Sequence, residues 1–264
     1  MSVLTNQSSS SPSSPSCSKS ERLRNLYYRS RERWQDGTTQ FKSMIHSHLP
    51  QSAKVLDLGA GSGRNYAHDL RSETRRLVGV DISIEVMANP YLDEAYQCDA
   101  AAMPFPSEEF DLAFSDYVFE HLADPPAAIR ELHRVLKPGA CFILRTPNRW
   151  HYVPLAASVL SHPLQSFLLD RFTVRKAEDV FPKFYRCNTE RVVLREFEKA
   201  GFAMEEFALI EKEPIYLERS ELLFKVGVLY ERIVNSSERL RGLRSNILAV
   251  FRKPLNEGRP KGAK

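Results

Sequence analysis

Val55-Leu56-Asp57-Leu58-Gly59-Ala60-Gly61-Ser62-Gly63-Arg64 decides the fold. An apolar run carrying one aspartate ends in three glycines at alternate positions, and a polar stretch follows. A buried parallel strand that turns tightly at its C-terminal end reads this way. Glycines there supply positive φ and let a ligand approach the backbone with no Cβ in the way. Free N–H groups of such a turn face the ligand's polar groups. In open α/β sheets ligands bind in the crevice beyond the carboxyl ends of the strands. About 20 residues on, Leu77-Val78-Gly79-Val80-Asp81 is a second buried strand ending in a carboxylate, at the spacing where an acid receives a ribose hydroxyl pair.

Dinucleotide-binding loops want G-x-G-x-x-G/A, with a third small residue for close helix packing. Here the spacing is G-x-G-x-G, and Arg64 stands where that small residue should be. With Asp57 inside the strand end, the stretch resembles motif I of the class I S-adenosylmethionine-dependent methyltransferases.

A chain of 264 residues can bury a full core, with one domain as the default. Apolar content of 42% and charged content of 27% are those of a soluble globular protein. A net charge of +4 is mildly basic, and much of the excess lies near the ends, as in Arg22-Leu23-Arg24 and Arg259-Pro260-Lys261. It reads as solvated termini, so no nucleic-acid partner is expected. The four cysteines, Cys17, Cys98, Cys141 and Cys187, form no C-x-x-C pair and suggest neither zinc nor a disulfide framework. Reduced thiols fit a cytoplasmic setting. No apolar run approaches the roughly 18 to 20 residues of a membrane span.

Along the chain, residues 1–20 read as a disordered Ser/Pro-rich tail. Leu23, Leu26, Tyr27 and Trp34 then recur at helical spacing among arginines, as in an amphipathic helix laid over the main domain. A second helix is expected over Thr38–Leu49. Strands are expected at Lys54–Leu58, Leu77–Asp81, Tyr96–Cys98, Phe110–Ser115 and Cys141–Arg145. A helix is placed at Arg64–Arg71, another from about Ser83, and a third after Asp124-Pro125, an N-cap followed by proline at the first helical position. Such alternation means right-handed βαβ units and a parallel sheet. The rhythm breaks over 149–187, which is rich in aromatic and basic residues. It resumes with a helix at Thr189–Ala200, stopped by Gly201, and a strand at Phe202–Ile210. A second insertion, 211–244, carries a helical stripe through Leu222, Val226, Leu229 and Ile233. Asn246–Arg252 reads as the last strand, and 253–264 as a basic tail.

The resemblance implies a fold: an α/β, Rossmann-like three-layer sandwich, with a mostly parallel seven-stranded sheet and an antiparallel last strand. It implies one domain over 21–252 with the two insertions forming a lid, and an N-terminal helix that covers the cofactor, where Tyr27 or Tyr28 touches ligand unless the helix serves packing alone. The implied cofactor is S-adenosyl-L-methionine. Asp57 would orient its amino-acid end, and Gly59, Ala60, Gly61 and Gly63 would admit it to the backbone. Asp81 would bind the ribose, Ile82 would wall the adenine, Asp99 would receive the adenine amino group, and its neighbour Ala100 would lie along the ring. Asp99 has a second reading, as a turn residue capping a strand end. Ser115, ending a stretch similar to motif IV, would lie beside the methionine portion.

Tyr117-Val118-Phe119-Glu120-His121-Leu122 and Leu136-Lys137-Pro138-Gly139 are similar to the small-molecule, type 11-like branch that includes ubiquinone- and sterol-pathway enzymes. The Asp/Asn-Pro-Pro-Tyr/Phe motif of amino-methylating nucleic-acid enzymes is absent. Three residues before Glu120-His121, where the ubiquinone O-methyltransferases carry a metal-binding glutamate, stands Tyr117, with Asp116 one step out of register; no metal is predicted. His121 is placed close to the methyl, and an imidazole with a pKa of about 6.5 suits a general base for a hydroxyl; bracing the loop is its other reading. His151, Tyr152 and the aromatics of 149–187 are a substrate wall or a lid's own small core. That apolar-basic mixture is compatible with peripheral membrane contact, although Pro154 and Pro163 interrupt any long amphipathic helix there.

The expected activity is methylation of a small, lipophilic or aromatic molecule at oxygen. Three other readings stand beside it: a catalytically silent S-adenosylmethionine-binding or interaction protein, a methyltransferase of protein or RNA, and a nicotinamide-dependent oxidoreductase, against which the glycine spacing argues.

Overall fold

A computed structural model describes residues 18–30, 34–63, 69–159 and 182–255. The strands are β1 (Lys54–Leu58), β2 (Arg76–Asp81), β3 (Glu94–Gln97), β4 (Phe110–Asp116), β5 (Leu136–Pro147), β6 (Ala203–Ile210) and β7 (Asn246–Arg252), with continuous buried runs in β1, β2, β4, β5 and β7. They form one seven-stranded sheet in the order β3-β2-β1-β4-β5-β7-β6. The first five pair in parallel, and β7 runs antiparallel between β5 and β6. Parallel neighbours covered on both faces need side chains that are apolar both ways. Leu56, Leu58, Val78, Val80, Phe142 and Leu144 face one layer, joined by Ile129 and Leu132 of α3 (Pro125–Val135) and Phe197 of α5 (Glu190–Lys199). Val55, Leu77, Leu112, Phe114 and Ile143 face the other, against Phe41 and Ile45 of α2 (Gly37–His48). This is the three-layer α/β sandwich expected.

Helix starts follow local chemistry. Asp36 accepts from the N–H groups of Thr38 and Thr39, Asp124 from Ala127 and Thr189 from Val192, which satisfies donors left open at each first turn. Gly201 at φ +92° ends α5 as expected. Ser83 caps a short 3-10 helix, Ile84–Ala88, rather than a longer one.

Several expected boundaries move. The helix placed at Arg64–Arg71 falls largely on residues 64–68, outside the described residues; 69–70 have no regular structure and 71–73 form a turn. The third strand lies at Glu94–Gln97, so Cys98 is just past it. The fifth strand starts at Leu136, five residues early. Lys137-Pro138-Gly139 is passed as a register shift against β4, Gly139 takes φ +83°, and Lys253 N–H closes onto the Ala140 carbonyl. Lys253 itself is no tail residue: it is buried, and its ammonium donates to the carbonyls of His133 and Leu136.

The N-terminal helix α1 (Lys19–Arg24) starts at Ser18, whose Oγ accepts the Glu21 N–H, and continues as a wider turn through Arg29. The rest of the Ser/Pro-rich segment, like the basic end from 256, lies outside the described residues. Leu23 and Tyr28 pack with Phe224 and Val228 of α6 (Glu221–Asn235) in a separate small cluster, and Tyr27 joins it. Both tyrosines thus have a packing role here. In the first insertion α4 (Tyr152–Val159) follows β5, and residues 160–181 lie outside the described residues. Helix α6 buries Phe224, Gly227, Val228 and Val234; the stripe Leu222, Val226, Leu229 and Ile233 points outward. Gly227 fixes this choice of face, because a Cβ there would stand 2.5 Å from Pro214 Cβ. Cys98, Cys141 and Cys187 are free thiols pushed up by burial to about 11, 12 and 12, so they behave as small apolar groups.

Candidate active site

The glycine loop leaves β1 at the C-terminal edge of the sheet. Gly59 and Ala60 donate their N–H groups to the Val80 carbonyl at 2.8 and 3.1 Å, tying the loop to β2. Gly59, Gly61 and Gly63 all take positive φ, at +81°, +53° and +73°. Their surroundings differ. A Cβ on Gly59 would lie 2.1 Å from Val118, and one on Gly63 would lie 2.5 Å from the Asn89 Oδ1; among the described residues, one on Gly61 would meet nothing within 4 Å. Of the three, Gly61 is the one left open by the described residues.

Asp81 closes the loop from β2. Its Oδ2 accepts the Gly61 N–H at 2.9 Å and its Oδ1 the Ser83 N–H at 2.8 Å. A carboxylate has about four lone-pair sites, so acceptor capacity remains on each oxygen for a diol. Ile82 beside it is 64% exposed, an apolar surface next to the acid, as a wall for a flat heterocycle would be. Asp57 in β1 and Ala60 in the loop are buried. Asp99 is exposed, and its Oδ1 accepts the Ala101 N–H at 2.8 Å; this turn-capping bond leaves Oδ2 for a ligand. Ala100 lies half-buried beside it. Ser115 sits at the same sheet edge but has no exposed surface, and its Oγ has no hydrogen-bond partner among the described residues.

Asn89 is a site residue that sequence reasoning missed. Its buried amide donates to the Ala60 and Gly61 carbonyls at 3.0 and 3.2 Å and accepts the Tyr91 N–H at 3.0 Å. Nothing at its own position signals this, since the contact spans about 28 residues.

After β4 a 3-10 turn, Phe119–His121, carries Glu120 and His121. The His121 Nδ1 lies 2.9 Å from the Pro182 carbonyl oxygen. A carbonyl only accepts, so Nδ1 holds the proton and the neutral ring keeps its lone pair on Nε2. Glu120 Oε1 is 3.9 Å from that Nε2. The Glu120 carboxyl is buried, and burial raises it to about 7. Its Oε2 accepts from the Thr146 hydroxyl, which in turn accepts from the Asn188 amide at 2.7 Å. The Glu120 carbonyl receives Phe184 and Tyr185 N–H groups, so the returning chain at 182–185 seats on this turn.

Asp116, at the end of β4, is committed elsewhere. Both its oxygens receive the Arg145 guanidinium at 2.5 Å, and that guanidinium lies over the rings of Tyr117 and Phe41. Further along the edge, His151 and Glu211 are buried, with Nε2 and Oε2 3.4 Å apart. The His151 ring packs on Tyr152 and Tyr230, so these residues form a small core of their own rather than an open wall. Burial pulls His151 down to about 4 and pushes Glu211 up to about 8. The signs differ. The His151 contribution to stability is lost as pH falls from about 6.5 through 4, and that of Glu211 is lost as pH rises from about 4.5 through 8. Thermal unfolding of Glu211→Gln is therefore expected to show a gain over wild type at pH 9, on the order of 1 kcal/mol or more, that vanishes below pH ~4.5. An equal gain at both pH values would disprove the buried-proton account.

A family model described as Methyltransferase domain matches residues 56–144. The chain is 34% identical over 114 residues to a probable S-adenosylmethionine-dependent methyltransferase of Mycolicibacterium smegmatis, covering 41% of this chain and 43% of that protein. It is 35% identical over 104 residues to a ubiquinone/menaquinone biosynthesis C-methyltransferase of Hahella chejuensis, covering 33% of this chain and 40% of that protein. The chain thus spans about two fifths of the length of these curated relatives. In structure it is similar to a putative methyltransferase from Bacillus halodurans, with a TM-score of 0.53 at 20% identity, over 83% of this chain and 99% of that one. Residues 56–144, which include the glycine loop closed by Asp81, are thus similar to a methyltransferase domain, and the sheet has the Rossmann-like fold of the structural neighbour.

Proposed function

We propose that the protein methylates a small, lipophilic or aromatic molecule at a hydroxyl oxygen. Bound S-adenosylmethionine would supply a methyl group on a sulfonium, already a good leaving group. The residues present fit it: a Gly61 left open by the described residues, spare acceptor capacity on Asp81 and Asp99, and an exposed apolar Ile82. Asp57 and the loop backbone are assigned its amino-acid end.

What remains for the protein is to align the acceptor, exclude water and take a proton. The observation that carries the reading is the His121 ring, fixed through Nδ1 by the Pro182 carbonyl so that Nε2 offers its lone pair at the sheet edge that carries the glycine loop. Glu120, buried and tied to Thr146 and Asn188, holds the turn and lies within reach of the imidazolium that proton transfer would create. The chain at 182–185, bonded to Glu120, covers this corner and supports the exclusion of water.

The test is methyl transfer from labelled S-adenosylmethionine to a panel of phenols and other small hydroxylated compounds. His121→Gln is expected to lower kcat by about 10²–10⁴ while the affinity for S-adenosylhomocysteine stays within twofold or so. Unchanged kcat would remove His121 as the base and leave it bracing the loop. Methylated carbon or nitrogen in the product would remove the oxygen assignment.

A further inference from the structure

The outward face of α6 does not fit a protein that keeps its apolar side chains inside. Leu222, Val226, Leu229 and Ile233 lie at spacings of four, three and four residues, one continuous stripe along the helix, and are 72%, 54%, 59% and 50% exposed. Isolated exposed leucines are ordinary, but a contiguous stripe marks a surface with a partner.

Cations outnumber acids along the border of the stripe, where Arg219, Lys225 and Arg232 stand against Glu221. Arg219, Lys225 and Arg232 are exposed and lie one turn from its members. The acids of the helix are paired or withdrawn: Glu221 bonds Lys225 at 2.8 Å, and Glu231 has a buried Oε2 and receives the Asn235 amide on Oε1. Helix α1, packed against α6 through Leu23 and Tyr28, repeats the pattern: Leu26 is 69% exposed, with exposed Arg22 and Arg29 one turn to either side.

We infer that α6 seats on an anionic lipid bilayer, its apolar stripe in the headgroup–acyl boundary and its cations among the headgroups. Cations flanking an apolar helix face are what an interfacial helix presents to such a surface. The same features weigh against the alternatives. In a second copy, Lys225 and Arg232 would be brought toward their own equivalents, and a stripe of four side chains on one helix is small against the roughly 800 Å² per partner of a stable interface. A partner helix asks for a groove to lie in, and these residues are too exposed to line one.

Vesicle co-sedimentation of the full chain tests this, and methyl transfer plays no part in the readout, so its failure and that of the proposed activity are separable. The protein is expected to bind phosphatidylcholine vesicles containing phosphatidylglycerol, and to bind pure phosphatidylcholine about tenfold less well. High salt should weaken the binding several-fold, because exposed charges are screened within about 10 Å at 0.1 M. Leu222→Gln with Leu229→Gln should lower binding at least ~10-fold with thermal unfolding unchanged, since neither side chain is in the core. Lys225→Gln with Arg232→Gln should lower it several-fold and flatten the salt dependence. Three results would overturn the inference: wild type that stays in the supernatant, a double-leucine variant that binds as well as wild type, or a dimer in light scattering that this variant abolishes.

Discussion

Asp81→Ala is expected to weaken S-adenosylhomocysteine binding by about 100-fold or more. The two carboxylate oxygens hold the N–H groups of Gly61 and Ser83, and their remaining lone pairs are assigned to the ribose. Hydrogen bonds to a charged group are worth about 1.5–3 kcal/mol each. Losing two of them on the ligand side costs roughly 3–5 kcal/mol, and each 1.4 kcal/mol is about tenfold in affinity. The variant also frees the Gly61 N–H that Asp81 holds, which adds to the loss. Asp81→Asn keeps one acceptor oxygen and should fall between wild type and alanine. Calorimetry with S-adenosylhomocysteine and, in parallel, NADH decides it. A folded Asp81→Ala protein that binds as tightly as wild type would refute the ribose assignment. NADH binding by wild type would bring back the oxidoreductase reading.

Gly59→Ala and Gly61→Ala are expected to fail in opposite ways. At Gly59 the new methyl would stand 2.1 Å from Val118 Cγ2 at φ +81°. Left-handed backbone costs about 1–2 kcal/mol and overpacking about 1–3 kcal/mol. A loss near 3 kcal/mol, or roughly 6–12 °C in Tm, follows at this chain length. At Gly61 the methyl meets no atom of the described residues, so only the backbone cost remains, roughly 2–8 °C. That methyl instead occupies the space assigned to the cofactor, and S-adenosylhomocysteine affinity should fall at least about tenfold. If Gly61→Ala binds as well as wild type, the ligand does not approach there. If Gly59→Ala melts with wild type, the loop is looser than its contacts with Val118 and Val80 indicate.

The parts of the fold legible in the sequence are those whose signal is local. Lys54–Leu58 and Asn246–Arg252 match their expected bounds because a strand buried on both faces reads as a nearly continuous apolar run. Asp124-Pro125 and Thr189 mark helix starts because a cap needs only its own next three residues. Leu136 was not legible as a strand start, since Lys137-Pro138-Gly139 carries every sign of a break; a register shift against β4 and the bonds from residue 253 carry the strand across it. In α6 both faces are apolar, so periodicity shows a stripe without showing which side is buried. The close approach of Pro214 to Gly227, 13 positions apart in the chain, decides that.

The same division runs through the site. The glycines, Asp81 and Asp99 stand in short motifs, so they could be proposed from the sequence alone. Asn89 bonds carbonyls at positions 60 and 61, His121 bonds the carbonyl of Pro182, and Glu120 owes its raised pKa to burial beneath Thr146 and the returning chain. Those contacts exist only after the sheet has closed, so a motif could suggest the residue types but not the tautomer of His121 or the protonation of Glu120.

The position of β7 has a consequence for how the protein is made. Synthesised after β6, it nonetheless lies between β5 and β6 and supplies all of the ladder that joins β6 to the sheet. On the ribosome, β1 to β5 can pair as they emerge, whereas β6 has no neighbour until residue 252 has cleared the exit tunnel. Until then the β5 edge, with Phe142, Ile143 and Leu144 in it, is an open template for another chain. A nascent chain stalled between residues 210 and 246 would therefore be the species most in need of a chaperone.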